Sequence, residues 1–160
     1  MANYLENKGF TSLYFPVTYG GVFRKIQRLT LGGRGIFSMR HAAVRAGLGE
    51  FGLNNLVVTP RYGPRVRFGA VITRAQLRAS PLLERKVCLG ESCMLCLQKC
   101  GTSALTMGNP ELNPPWKKDE VWLNPVTRTH IPTCFQQRIE SFCYGRCIAV
   151  CPVGASKKTL

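Results

Sequence analysis

The sequence predicts an α+β fold, and three observations carry that expectation. Short helical and strand-like segments alternate through the first half, separated by glycine and proline. All eight cysteines fall between Cys88 and Pro152. A hydrophobic content of 45% and a mean hydropathy of −0.03 are those of a globular chain. The expected organisation is therefore an α/β-patterned region over 1–80 and a cysteine-bearing module over 81–160.

The elements can be justified in order. Residues 2–8 read as a short helix that Gly9 would terminate. Residues 11–17 read as a strand, with Pro16 confining its far end to an edge. Residues 18–37 hold Gly20, Gly21, Gly32, Gly33 and Gly35 and read as a loop. Ser38 is placed to open a helix through Ala46, with Gly47 to stop it.

The letters from Gly47 to Gly52 then match G-x-G-x-x-G. Dinucleotide binding needs a strand before that motif and a helix after it. Here the order is reversed, since a helix precedes it and Asn54–Thr59 follows as a strand. The glycines instead predict a tight turn or a close backbone approach. Residues 55–59 and 65–73 are β-rich runs joined by Pro60-Arg61-Tyr62-Gly63-Pro64, and they predict a β-hairpin. Alternation in Arg65-Val66-Arg67-Phe68 would project Arg65 and Arg67 from one face, free for phosphate, carboxylate or solvent.

Residues 81–87 form a charged linker into the cysteines. Residues 108–132 carry five prolines and both tryptophans, which leaves little room for regular structure. Trp116 and Trp122 are expected to cover apolar surface beside the cysteine sites. Thr133-Cys134-Phe135-Gln136 fits a capping box that would open a helix to about Phe142, with Cys134 in its first turn.

The cysteines form two runs, Cys88-x4-Cys93-x2-Cys96-x3-Cys100 and Cys134-x8-Cys143-x3-Cys147-x3-Cys151-Pro152. Structural zinc favours paired C-x2-C knuckles, and only Cys93 and Cys96 supply one. Disulfides require an oxidising compartment. Two runs of four, the second closing on Cys-Pro as in bacterial two-cluster ferredoxins, predict two [4Fe–4S] clusters. In such ferredoxins the last cysteine of each run crosses to the other cluster. The expected ligand sets are Cys88, Cys93, Cys96 and Cys151 on one cluster, and Cys100, Cys134, Cys143 and Cys147 on the other. Cys88 and Cys134 depart most from the ferredoxin spacing.

The formal charge is +14, and two clusters on eight thiolates would lower it to about +10. Residues 21–78 hold eleven Arg or Lys against a single acid, Glu50. Such a block attracts nucleic acid, an acidic protein or a phosphate-bearing cofactor, or it is a solvated basic face. No apolar run reaches the roughly 18–20 residues that span a bilayer. The first residues lack the features of a secretory signal, so the expected compartment is the cytoplasm. His41 and His130, the only histidines, have no carboxylate partner in sequence and are read as structural.

The stretch from His41 to Thr73, including Gly-Leu-Gly-Glu-Phe-Gly and Thr-Pro-Arg-Tyr-Gly-Pro-Arg-Val-Arg, together with the cysteine runs, resembles the cobalamin-dependent iron–sulfur reductases. That family comprises reductive dehalogenases and epoxyqueuosine reductases, and the dehalogenase-like branch is expected to be the nearer. The resemblance covers about residues 2–152. It implies a partial nitroreductase-like region followed by a ferredoxin-like double-cluster module that passes electrons to cobalamin. Gly47, Gly49 and Gly52 would then lie near the corrinoid. Family enzymes carry a long portion before this point, so the chain would depend on a redox partner or a catalytic subunit. Epoxyqueuosine reductases place an acidic proton donor shortly before the helix matching 38–46. Here that neighbourhood reads Leu31-Gly32-Gly33-Arg34-Gly35, and the resemblance assigns no catalytic residue. The activities it implies are electron transfer, reduction of an organohalide or of epoxyqueuosine in tRNA, or a plain ferredoxin-like carrier.

Overall fold

The computed structural model describes residues 1–15, 37–107, 127–130, 133–134, 143 and 145–155. Within them the chain is a mixture of short helices and three two-stranded antiparallel ribbons, in keeping with an α+β fold. The glycine-rich loop up to residue 36, Pro16, Trp116, Trp122 and the helix expected beyond Cys134 lie outside the described residues.

Both helices predicted in the first half form where local signals place them. Helix α1 (Ala2–Asn7) ends in a Schellman arrangement, with Gly9 N–H donating to Glu6 O and Phe10 N–H donating to Leu5 O. Strand β1 (Ser12–Phe15) follows. Helix α2 (Met39–Arg45) repeats the same ending, as Gly47 N–H reaches Val44 O and Leu48 N–H reaches Ala43 O. Gly47 takes φ +71, a conformation that L side chains resist. Ser38 occupies the N-cap position, but its hydroxyl pairs with His41 Nδ1 instead of capping an amide.

The expected hairpin between 55–59 and 65–73 does not form. Strand β2 (Glu50–Phe51) pairs with β3 (Val57–Val58), and strand β4 (Ala70–Thr73) pairs with β1, Leu13 standing opposite Ile72. Only the Thr59–Gly63 bridge survives in the turn between the two β-rich runs. Asn54 and Asn55 belong to a turn rather than a strand. Asn55 sits at φ +56, a conformation asparagine tolerates better than most residues, and Asn54 Oδ1 accepts the Leu56 N–H.

In the second half, a 3₁₀ turn (Gly90–Ser92) lies between the first two cysteines of the first run. Helix α3 (Leu95–Gln98) carries Cys96, and helix α4 (Arg146–Ala149) carries Cys147 and packs against α3. Strand β5 (Leu105–Met107) pairs with β6 (Thr127–Thr129). Strand β6 falls within the proline-rich stretch 108–132, of which residues 127–130 are described. The core is small: Ala43, Leu53, Val57 and Val58 are buried where α2 meets the β2–β3 ribbon, and Ala104 and Leu105 are buried at the β5 end.

Candidate metal centre

The glycine turn between α2 and β3 is shaped by the chain itself. A Cβ on Gly47 would run into the Pro81 carbonyl oxygen. One on Gly49 would stand 2.5 Å from Val58 O, and one on Gly52 would stand 2.5 Å from Val58 Cγ2 and 3.6 Å from Cys88 Sγ. Close packing against β3 and the approach to the cysteines therefore accounts for the three glycines without a ligand. The side on which each lacks a side chain is filled by protein.

That turn also delivers Glu50 to the start of the first cysteine run. Its Oε1 accepts the backbone N–H groups of Val87 and Cys88, each at 2.6 Å. Two amides of an otherwise irregular linker are thereby satisfied, and Cys88 is fixed against β2. Farther along, the exposed Arg65 engages the second run. Its guanidinium donates to three carbonyl oxygens of the second run: Cys151 O at 2.6 Å, Val153 O at 2.9 Å and Ala149 O at 3.1 Å. Asn54 Nδ2 reaches Cys147 O at 3.5 Å, and Asn55 Nδ2 donates to Thr129 Oγ1 at 2.9 Å. Hydrogen bonds thus cross position 80 repeatedly, from a frame at 50–65 to both cysteine runs.

Inside that frame, Cys88, Cys93, Cys96 and Cys151 line one cavity of about 30 Å³, with Leu53, Val58, Leu95 and Val153 among its apolar walls. Cys151, although it ends the second run, faces the first: its thiol lies in the field of Cys88 and Cys93. Cys147 lies instead in the field of Cys134, Cys100 and Cys143. Cys96 feels both Cys88 and Cys147, at the contact between α3 and α4. All eight cysteines are free thiols, seven of them half-buried and Cys134 exposed.

Burial pushes the Cys96 and Cys147 thiols up to about 11, and neighbouring cysteines add to the rise. Burial also raises Cys151, against the pull of Arg65. At Cys100 burial acts upward too, but hydrogen bonds from Leu105, Thr102 and Ala104 outweigh it and leave the thiol below its ordinary value. Burial and mutual proximity therefore favour the neutral thiols over thiolates, a preference that a cationic centre binding thiolate would reverse. Zinc would draw its sulfurs to about 2.3 Å from one point. Among the described residues no three Cys, His, Asp or Glu side chains converge on a single ion. Four soft sulfur donors around an apolar-walled volume are the donor type an iron–sulfur cluster takes.

The two histidines are held locally. His41 packs edge-on against Phe51 at 5.2 Å, and burial, then the charge of Arg40, lowers its pKa. His130 Nδ1 pairs with Thr133 Oγ1 at 2.6 Å, at the point where residues 133–134 become helical. Among the described residues, no helix is long and apolar enough to cross a membrane. Glu50 and Asn54 were not singled out as site residues by sequence, and Arg65 was read only as part of an outward face. The available signal was weak: Glu50 is the lone acid in a block of eleven basic residues.

Comparison with known proteins matches the sequence of the chain to redox enzymes. The chain is 34% identical over 121 residues to an epoxyqueuosine reductase from Staphylococcus aureus, covering 74% of this chain and 30% of that protein. It is 32% identical over 127 residues to the epoxyqueuosine reductase of Bacillus subtilis, covering 77% and 31%. To a tetrachloroethene reductive dehalogenase from Dehalobacter restrictus it is 36% identical over 121 residues, covering 68% and 21%. These identities do not separate the two branches. The chain spans less than a third of the length of these relatives. No family model and no solved structure matches it. Over the span they share, the chain belongs to the oxidoreductase family of the epoxyqueuosine reductases and reductive dehalogenases.

Proposed function

We propose that the chain is an electron-transfer element of a reductase in this family and carries electrons through two [4Fe–4S] clusters. The observation that supports this most is the single cavity lined by Cys88, Cys93, Cys96 and Cys151, a set that draws its fourth member from the far end of the second run. Those four residues would hold one cluster, and Cys100, Cys134, Cys143 and Cys147 would hold the other. Each cluster supplies one-electron redox chemistry when bound. The protein's own part is to bring the two sets together through α3 and α4, to wall the first with apolar side chains, and to anchor Cys88 and Cys151 by Glu50 and Arg65. The free thiols and the cluster chemistry fit a reducing, cytoplasmic setting. The electron acceptor would be a catalytic centre or redox partner. Cobalamin in that role, and an organohalide or epoxyqueuosine in tRNA as substrate, rest on the resemblance and the relatives' names.

Anaerobic reconstitution followed by iron and sulfide counts tests the reading. Close to eight iron atoms per chain is the expected result, and close to four would sink the two-cluster proposal. In the same preparation, a corrinoid absorption band after incubation with cobalamin would favour a complete reductase over an electron-transfer element. Salt-sensitive retention of tRNA would favour the nucleoside branch.

A further inference from the structure

Two side chains of opposite charge, both outside the cysteine runs, hold the two ends of the first cysteine set. Glu50 accepts the N–H groups of Val87 and Cys88, and Arg65 donates to the carbonyls of Ala149, Cys151 and Val153. All five partners are neutral peptide groups, so these bonds orient the charges without cancelling them. Cys88 and Cys151 line the same cavity, which places a full negative charge at one ligand's backbone and a full positive charge at the other's. Reducing a [4Fe–4S] centre from its 2+ to its 1+ state adds one electron and neither makes nor breaks a covalent bond. A nearby cation favours the added electron and a nearby anion opposes it, and net charge around the centre is one of the quantities that sets its potential.

We propose that Glu50 and Arg65 are positioning residues that set the reduction potential of the cluster held by Cys88, Cys93, Cys96 and Cys151 in opposite directions, Glu50 lowering it and Arg65 raising it. The inference rests on the cluster reading above. Glu50 also occupies the Cys88 N–H, which withholds that donor from a cluster sulfur and acts in the same direction as its charge. The β2–β3 ribbon and the 60–65 turn are then the frame that holds the first cluster at its working potential.

The test is an anaerobic titration of the full reconstituted chain with mediators and a low-potential chemical reductant, read by electron paramagnetic resonance. Iron is counted in every sample. Glu50→Gln keeps an oxygen acceptor for the two amides but removes the charge, and it should shift one of the two couples upward. Arg65→Gln should shift the same couple downward. Each change should be on the order of three- to tenfold in the one-electron equilibrium, or about 30–60 mV. Arg65→Lys keeps the charge without the three-carbonyl fork and should stay near the wild-type potential. The couple of the second set should move less in every variant. Shifts of both variants in one direction, or no shift with iron retained, would overturn the proposal. If Arg65→Gln loses iron, Glu50→Gln alone decides, and an unchanged couple there overturns it. A wild-type chain that takes up no iron condemns the cluster reading itself, an outcome distinct from all of these.

Discussion

The β2–β3 and β1–β4 ribbons are both short, antiparallel and rich in β-branched and aromatic residues, yet they meet opposite environments. Val57 and Val58 of β3 are 2% and 1% exposed, whereas Leu13 and Ile72, facing each other across β1–β4, are 59% and 52% exposed. Intrinsic β-propensity does not distinguish them. What differs is the cover. The linker at 81–82, Cys88 and the first-set cavity close over the β2–β3 ribbon, while the 60–64 turn presses on Val153 and Gly154. The described core of this small chain gathers on the cysteine side, so its stability and its candidate cofactor site share one set of contacts.

The most severe way to break that comparison is at the 60–64 turn. Gly63 has φ +58, and a Cβ there would drive into the Val153 carbonyl oxygen, backbone against backbone. Gly63→Ala should cost about 2–5 kcal/mol through left-handed strain and overpacking combined. It should also separate the end of the second run from the ribbon, weakening the Arg65 fork and the placement of Cys151. Thermal unfolding should fall by many degrees, and iron retained after gel filtration should drop with it. Unchanged stability would mean that the turn does not bear on the second run as the structure describes.

How far the sequence could foretell this follows from the range of each interaction. The endings of α1 and α2 were legible because a Schellman cap is decided within six residues, and Gly9 and Gly47 stand where it needs them. Strand partners were not. Alternation in 65–73 marks a strand with two faces, but pairing β4 with β1 joins Ser12 to Thr73 across the intervening chain, and nothing local encodes it. Arg65 was legible only in part, for a related reason. The pattern Arg-Val-Arg-Phe predicts a cation facing outward, and only the folded second run brings three carbonyls within its reach. Ferredoxin spacing supplies an expectation for how the cysteines sort into two sets. Their anchoring by Glu50 and Asn54 depends on a turn whose geometry no motif specifies.

A milder change sharpens the contrast without dismantling it. Val58→Thr preserves shape but places a hydroxyl where the wild-type side chain is sealed from solvent, between the glycine turn and the cavity wall. Leaving that hydroxyl without a partner should cost roughly 1–3 kcal/mol. The effect should appear as a lower unfolding midpoint in the cluster-free chain and an equal or larger loss in the loaded one. A neutral outcome would show that β3 is no more enclosed than β1.

The smallest expected effect falls on the other ribbon and supplies the control. Ile72→Thr and Leu13→Thr make the same kind of change in cross-strand partners that are already more than half exposed. Threonine is β-branched, which suits a pleated strand, and can donate to water there, so little transfer energy and no buried polar group is at stake. Each should alter stability by no more than about 0.5 kcal/mol. Iron uptake should be unchanged, because the described contacts of β1 and β4 run to each other and to α1 rather than to the cysteine cavity. The quantity to compare is the ratio between Val58→Thr and Ile72→Thr measured in one denaturation series. A ratio well above one places the protein's cohesion at the cysteine side. A ratio near one would mean that the exposed ribbon is covered in solution, and the two ribbons would then have to be treated as equal parts of the core.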